Sequence, residues 1–73
     1  MLIQSPKHLA QFAQDHRKQQ ALTQSNVGDR IQMKQGTISS FENRPDSTQL
    51  ASLFRILSAL ELEIHLVPKE SAK

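Results

Sequence analysis

The apolar residues change period once, near Leu60, and that change limits what the chain can build. Upstream, Leu50, Leu53, Phe54, Leu57 and Leu60 fall at i, i+3, i+4, i+7 and i+10, the spacing of one helical face. Downstream, Leu62, Ile64 and Leu66 alternate with Glu61, Glu63, His65 and Val67 until Pro68, which predicts a β-strand over about 61–67. No second run reads convincingly as a strand, because 1–4 is too short. A lone strand leaves a row of unpaired backbone groups, and pairing with the same strand of a second copy is the economical remedy. Leu62, Ile64 and Leu66 are then the dimerisation residues. Chain length argues the same way: 73 residues with no Cys form one small domain, 1–73, without a disulfide staple. Such a domain buries only about 60% of the surface its unfolded chain exposes, so added core from a homodimer is expected.

The rest of the pattern is helical. Ser5-Pro6 is a helix start, since Ser caps open N–H groups and Pro tolerates the first helical position. Leu9, Phe12, Ala13 and His16 follow at helical spacing, giving a first helix over about 6–18. Thr23 caps a short second helix carrying Val27, Gly28 and Ile31, and 32–34 interrupts it. A third short helix carries Ile38 and Phe41, and 43–47, with Pro45 in the middle, ends it. Ser47 and Thr48 are then expected to cap the fourth helix. The fold class is therefore all-α, four helices and one carboxy-terminal strand. Two short helices joined by a tight turn, here over about 23–43, describe a helix-turn-helix.

Composition excludes several functions. The longest apolar stretches are two or three residues, far short of the ~20 that cross a bilayer. The first residues lack the basic and apolar regions of a secretory signal, so the cytoplasm is the expected compartment. His8, His16 and His65 have no metal-ligand spacing, and no nucleophile motif or Gly-rich phosphate loop is present, so no metal, no cofactor and no catalytic residues are expected. The net charge of +2 hides an asymmetry. Between Arg17 and Arg44, five basic residues (Arg17, Lys18, Arg30, Lys34, Arg44) oppose Asp29 and Glu42, an excess of +3; from Pro45 onward the balance is −1. That distribution points to a polyanion or to a solvated helical face, and the nine Gln and eight Ser serve either solubility or hydrogen bonds to phosphates and base edges, between which composition does not choose.

The run from Thr23 to Asn43, TQSNVGDRIQMKQGTISSFEN, resembles the helix-turn-helix of the Cro and phage-repressor (XRE) family. Within that family the span from Ser5 to Val67 is similar to the HipB-like antitoxins of HipBA toxin–antitoxin modules, through SPKHLAQ, TQS, KQGTIS, FEN and FRILSALEL. The resemblance implies a lambda-repressor-like domain that binds double-stranded operator DNA as a homodimer. It implies repression of its own operon and binding of a HipA-type Ser/Thr kinase toxin. Half-sites would lie about 34 Å apart or a multiple of it.

The resemblance also places the site. The recognition helix would begin at Lys34 or Gln35 and expose Gln35, Gly36, Ser39 and Ser40 once Ile38 and Phe41 turn inward. Gln35 matches adenine N7 and N6, Lys34 can donate to guanine or to a phosphate, and Ser40 can bond either edge. Gly36 allows close approach to a thymine methyl or phosphate, or is simply tolerated at a cost of about 1 kcal/mol. Gln24, at the positive end of the second helix, would donate to a phosphate, with Thr37, Asn43 and Arg44 as further phosphate contacts. Arg17 falls where the family has a basic residue that pairs with the acidic one at the end of the third helix, here Glu42, and reads as a structural ion pair. Gly28 sits where the two helices cross. Ala21 and Gln32 stand where the family commonly has Gly, and a positive φ there would carry strain of order 1 kcal/mol. Two alternatives compete with the DNA-binding antitoxin. One is an interaction module that neutralises a toxin kinase with little DNA binding; the other is a Cro-like repressor with no toxin partner.

Overall fold

The computed structural model describes residues 2–69, and there the chain forms four α-helices and one 3-10 turn. The charges of Glu70 and Lys73, counted above in the carboxy-terminal balance, lie outside the described residues. Helix α1 spans Pro6–Gln19, and the Ser5 hydroxyl caps it by accepting from the His8 N–H at 3.0 Å. Helix α2 spans Gln24–Ile31 and opens with a reciprocal cap: Thr23 Oγ1 accepts from Asn26 N–H at 3.0 Å, and Asn26 Oδ1 accepts from Thr23 N–H at 2.9 Å. Helix α3 spans Gln35–Asn43, a 3-10 turn covers Pro45–Ser47, and helix α4 spans Leu50–Ala59.

Three helices end in the same way, each without glycine. Ala21 (φ 59°), Gln32 (φ 58°) and Glu61 (φ 58°) all occupy the left-handed region, at the ends of α1, α2 and α4. In each case the next residue's N–H reaches back five residues: Leu22 to Arg17 O, Met33 to Gly28 O and Leu62 to Leu57 O, at 2.9–3.1 Å. These bonds satisfy carbonyls that a helix end otherwise leaves open. The left-handed residue also turns the following apolar side chain inward, so Leu22, Met33 and Leu62 all pack against the core. Three basic side chains close further carbonyls. His16 Nε2–H donates to Leu60 O at 3.1 Å, Arg30 to Ala59 O at 2.8 Å, and Arg55 to Ile31 O.

Ala10, Ala13, Val27, Ile38, Phe41, Ile56, Leu57, Ala59 and Leu60 form the buried core. Helix α3 lies between α1 and α2, and α2 also packs on α4. At the crossing of α2 with the turn before α3, a Cβ on Gly28 would stand 2.4 Å from the Met33 carbonyl oxygen, so only glycine fits without moving backbone. That close approach brings α3 onto α2 and leaves one side of α3 uncovered.

Three expectations need correction. Ser47 and Thr48 do not cap α4: the cap position is Gln49, without a side-chain bond, and the Ser47 hydroxyl donates to Arg44 O instead. The buried face of α4 is centred on Ile56, Leu57 and Leu60, with Leu53 at its edge, while Leu50 and Phe54 stand 68% and 55% exposed. The predicted strand over 61–67 is absent among the described residues: Glu61 belongs to the turn closing α4, and residues 62–69 form neither helix nor ladder. The physical reason is the one the alternation itself supplied, since a strand needs a neighbour and one copy of this chain offers none.

Candidate nucleic-acid interface

The uncovered side of α3 gathers the polar residues singled out in the sequence. Ile38 and Phe41 are 1% and 2% exposed and fix the rotation of the helix. Lys34, Gln35, Gly36, Thr37, Ser40, Asn43 and Arg44 consequently face solvent, and Ser39 is half-buried. Asn43 Nδ2 donates to Ser39 Oγ at 3.1 Å, one turn apart on this face. Apart from its neighbours in α3, nothing among the described residues lies within 4 Å of where a Gly36 Cβ would stand, so the space beside it is open. The amino-terminal end of α3 carries N–H groups and the Lys34 ammonium without a side-chain cap, an arrangement suited to phosphate oxygens or base acceptors.

Beneath this face lies a polar cluster that joins three helices. Arg17 Nε donates to Glu42 Oε2 at 2.7 Å and its NH2 group to Glu42 Oε1 at 3.1 Å, a two-pronged contact with side chains 9% and 3% exposed. Arg17 also donates to Leu22 O at 2.8 Å, binding the end of α1 into the cluster. Glu42 Oε1 accepts further bonds from Gln14 Nε2 at 3.1 Å and Gln24 Nε2 at 2.9 Å. Burial pushes the Glu42 carboxyl up, but the bonds from Arg17, Gln24 and Gln14 and the positive charge of Arg17 outweigh it and hold the group below its usual value. Glu42 is therefore an anion at neutral pH.

Gln24 lies differently from the simple phosphate donor expected of it. One N–H faces Glu42, and its Oε1 accepts from Gln35 Nε2, so Gln24 links the buried ion pair to the first residue of α3. Its second N–H still leaves a donor for a phosphate. Sequence reasoning missed Gln14, although it sits three residues before Arg17 on the same face of α1. It also missed the inward roles of Arg30 and Arg55, for which the sequence carries no local signal. Among the described residues no group of three or more His, Asp or Glu side chains could hold a metal ion, and no helix is long and apolar enough to cross a membrane.

This geometry, two helices at a glycine crossing with an exposed polar face above a buried ion pair, defines a helix-turn-helix protein. Residues 14–67 match the family described as Helix-turn-helix. More narrowly, the chain belongs to the HipB antitoxin family. It is 44% identical over 70 residues to Antitoxin HipB of Escherichia coli strain K12, spanning 96% of this chain and 80% of that protein. It is also 44% identical to Antitoxin HipB of E. coli O6:H1, spanning 96% of this chain and 74% of that protein. Two solved structures superpose at a TM-score of 0.92 and 43% identity, covering 96% of this chain and 99% of theirs: the HipA-HipB-O2-O3 complex and the HipB-O4 20mer complex.

Proposed function

We propose that this chain is a DNA-binding antitoxin of the cytoplasm that represses its own operon and binds a HipA-type kinase toxin. The observation that carries the reading is the face of α3: Lys34, Gln35, Gly36 and Ser40, with the half-buried Ser39, share the outer side of a short helix whose opposite side is locked into the core. Gln35 and Lys34 read base edges, with Gly36, Ser39 and Ser40 against the groove. Gln24, Thr37, Asn43 and Arg44 contact phosphates. The protein acts as a single helix-turn-helix unit that pairs with a second copy through Leu62, Ile64 and Leu66, so that two recognition helices meet two half-sites. The HipA-HipB-O2-O3 complex supports the toxin partner, because its HipB chain matches this one along nearly the whole length.

The test is operator binding. Gln35→Ala should cost about 1–3 kcal/mol on specific DNA and relax the preference at one base pair per half-site. Rising salt should weaken binding with a log–log slope near −0.9 per phosphate neutralised. A flat salt response with unchanged Gln35→Ala affinity would sink the DNA-binding reading.

A further inference from the structure

Between Leu62 and Leu66 the apolar residues alternate with Glu63 and His65, an acidic and a basic side chain. The alternation survives in a single copy. Leu62 packs against the core and Ile64, 42% exposed, lines the groove beside it, whereas the Glu63 and His65 side chains are 84% and 73% exposed. His65 Nε2–H donates to Glu63 Oε2 at 3.0 Å, so the two share one face, as residues two apart do in an extended segment.

Two identical segments related by a two-fold axis keep their apolar faces on the same side only when they run antiparallel; an axis along the segments would turn one face up and the other down. Even-numbered residues must then meet even-numbered ones, which leaves registers two residues apart, each centred on one residue. Centred on Ile64, Leu62 stands opposite the partner's Leu66 and Glu63 opposite the partner's His65, each twice by symmetry. Every carboxylate then has an imidazole beside it in its own chain and another across the pair, and like groups meet only on the diagonals. Leu66, 92% exposed in one copy, gains an apolar neighbour. Centred on Glu63, two carboxylates face each other and Leu66 falls opposite Leu60, which is buried at the end of α4. The left-handed Glu61 turns the chain there and lies outside the ladder. Centred on His65, two imidazoles face each other and Leu62 meets Pro68, which has no N–H to give. The Leu62 N–H is already bonded to Leu57 O at 2.9 Å, so Leu62 and Ile64 fall in the pairs without ladder bonds, where facing side chains stand closest.

We infer that Glu63 and His65 set the register and the partner of the dimer: given the proposed pairing through Leu62, Ile64 and Leu66, they align two copies of this chain with Ile64 on the two-fold axis and reject a chain whose charges at 63 and 65 are reversed. The apolar face decides that the segments pair, and the charge pattern decides how they align.

The experiment mixes equal amounts of wild type and Glu63→Lys/His65→Glu, one of them isotope-labelled, and counts dimers by native mass spectrometry after exchange. The double variant keeps an opposite pair within its own chain, so each protein should still pair with itself. In the Ile64-centred register a mixed dimer sets carboxylate against carboxylate and ammonium against imidazole, and heterodimers should fall from the random half to about a quarter or less. With either neighbouring residue at the centre, the mixed dimer brings opposite charges onto the axis and heterodimers exceed half. A heterodimer fraction of one half or more overturns the inferred register. A second measurement leaves both charges in place. The chain has no Cys, so Ile64→Cys should oxidise to a covalent dimer, while Leu66→Cys, whose two copies lie farther apart than the ~7 Å a disulfide spans, should run as a monomer on a denaturing gel. Dimers of Ile64→Cys that do not cross-link overturn the register, as does cross-linking of Leu66→Cys in preference. A wild type that stays monomeric in sedimentation velocity overturns the pairing reading and the register with it, whereas dimers that mix at random overturn the register alone.

Discussion

Glu42 takes four donors on two oxygens, and only one of its partners, Arg17, carries a charge. Removing the carboxylate leaves a guanidinium buried without its counter-ion, so Glu42→Ala should cost about 3–5 kcal/mol in urea unfolding at neutral pH. The pH dependence follows from the lowered value of the group in the fold. A carboxyl whose folded value lies below its unfolded one contributes fully above the unfolded value, near 4.5, and loses that contribution as pH falls through the folded value. Thermal unfolding should be nearly flat from pH 7 down to about 5 and should decline below about 4.5, with a smaller decline in Glu42→Gln; equal declines in the two proteins would remove Glu42 as the source. The left-handed residues make a second prediction at this scale. Gln32 has φ 58° with a full side chain, so Gln32→Gly should raise stability by about 1 kcal/mol, read as a higher urea midpoint. A lower midpoint would mean that the side chain contributes more than its backbone strain costs.

At the scale of elements, what was legible and what was not separate along physical lines. Ser5-Pro6 and Thr23 announced the starts of α1 and α2 because capping is a local exchange of hydrogen bonds within four residues. Gly28 was placed at the crossing by the resemblance to the family, and the 2.4 Å approach of the Met33 carbonyl supplies the physical reason, whereas Gly36, also helical, has open space beside it. The face of α4 was misread. Leu50 and Phe54 fit the helical period as well as Ile56 and Ala59 do, and a helix apolar on two adjacent sides does not say in its own sequence which side meets α2. The direction of the Gln24 amide was invisible for a similar reason, since Glu42 and Gln35 stand 18 and 11 residues away. Polar groups become specific only after distant elements have met. The resemblance to the family placed Arg17 opposite Glu42; it did not indicate that Gln14 and Gln24 share the same oxygen.

The whole molecule leaves apolar surface that a single copy does not cover. Phe54, Leu57, Leu62 and Ile64 line one groove, and Ile3, Leu9 and Phe12 meet Leu57, Leu62 and Ile64 in a second beside it. Leu66 and Val67, 92% and 79% exposed, continue beyond them. In the proposed dimer this surface is the inner side of the paired segments, and the net basic middle of the chain is presented twice. Ile64→Lys should then give monomers in sedimentation velocity at concentrations where the wild type is dimeric; a persistent dimer would remove pairing through residues 62–66. Leu62 has a further meaning here. The left-handed Glu61 and the bond from the Leu62 N–H to Leu57 O hold Leu62, partly buried, against the core before any second copy arrives. Two chains sliding past one another by a single residue would have to pull both Leu62 side chains out of their cores, so the phase of the pairing is decided within each chain. In kinetic terms, the odd registers of the proposed pairing are closed before encounter, and association has only registers two residues apart to sort.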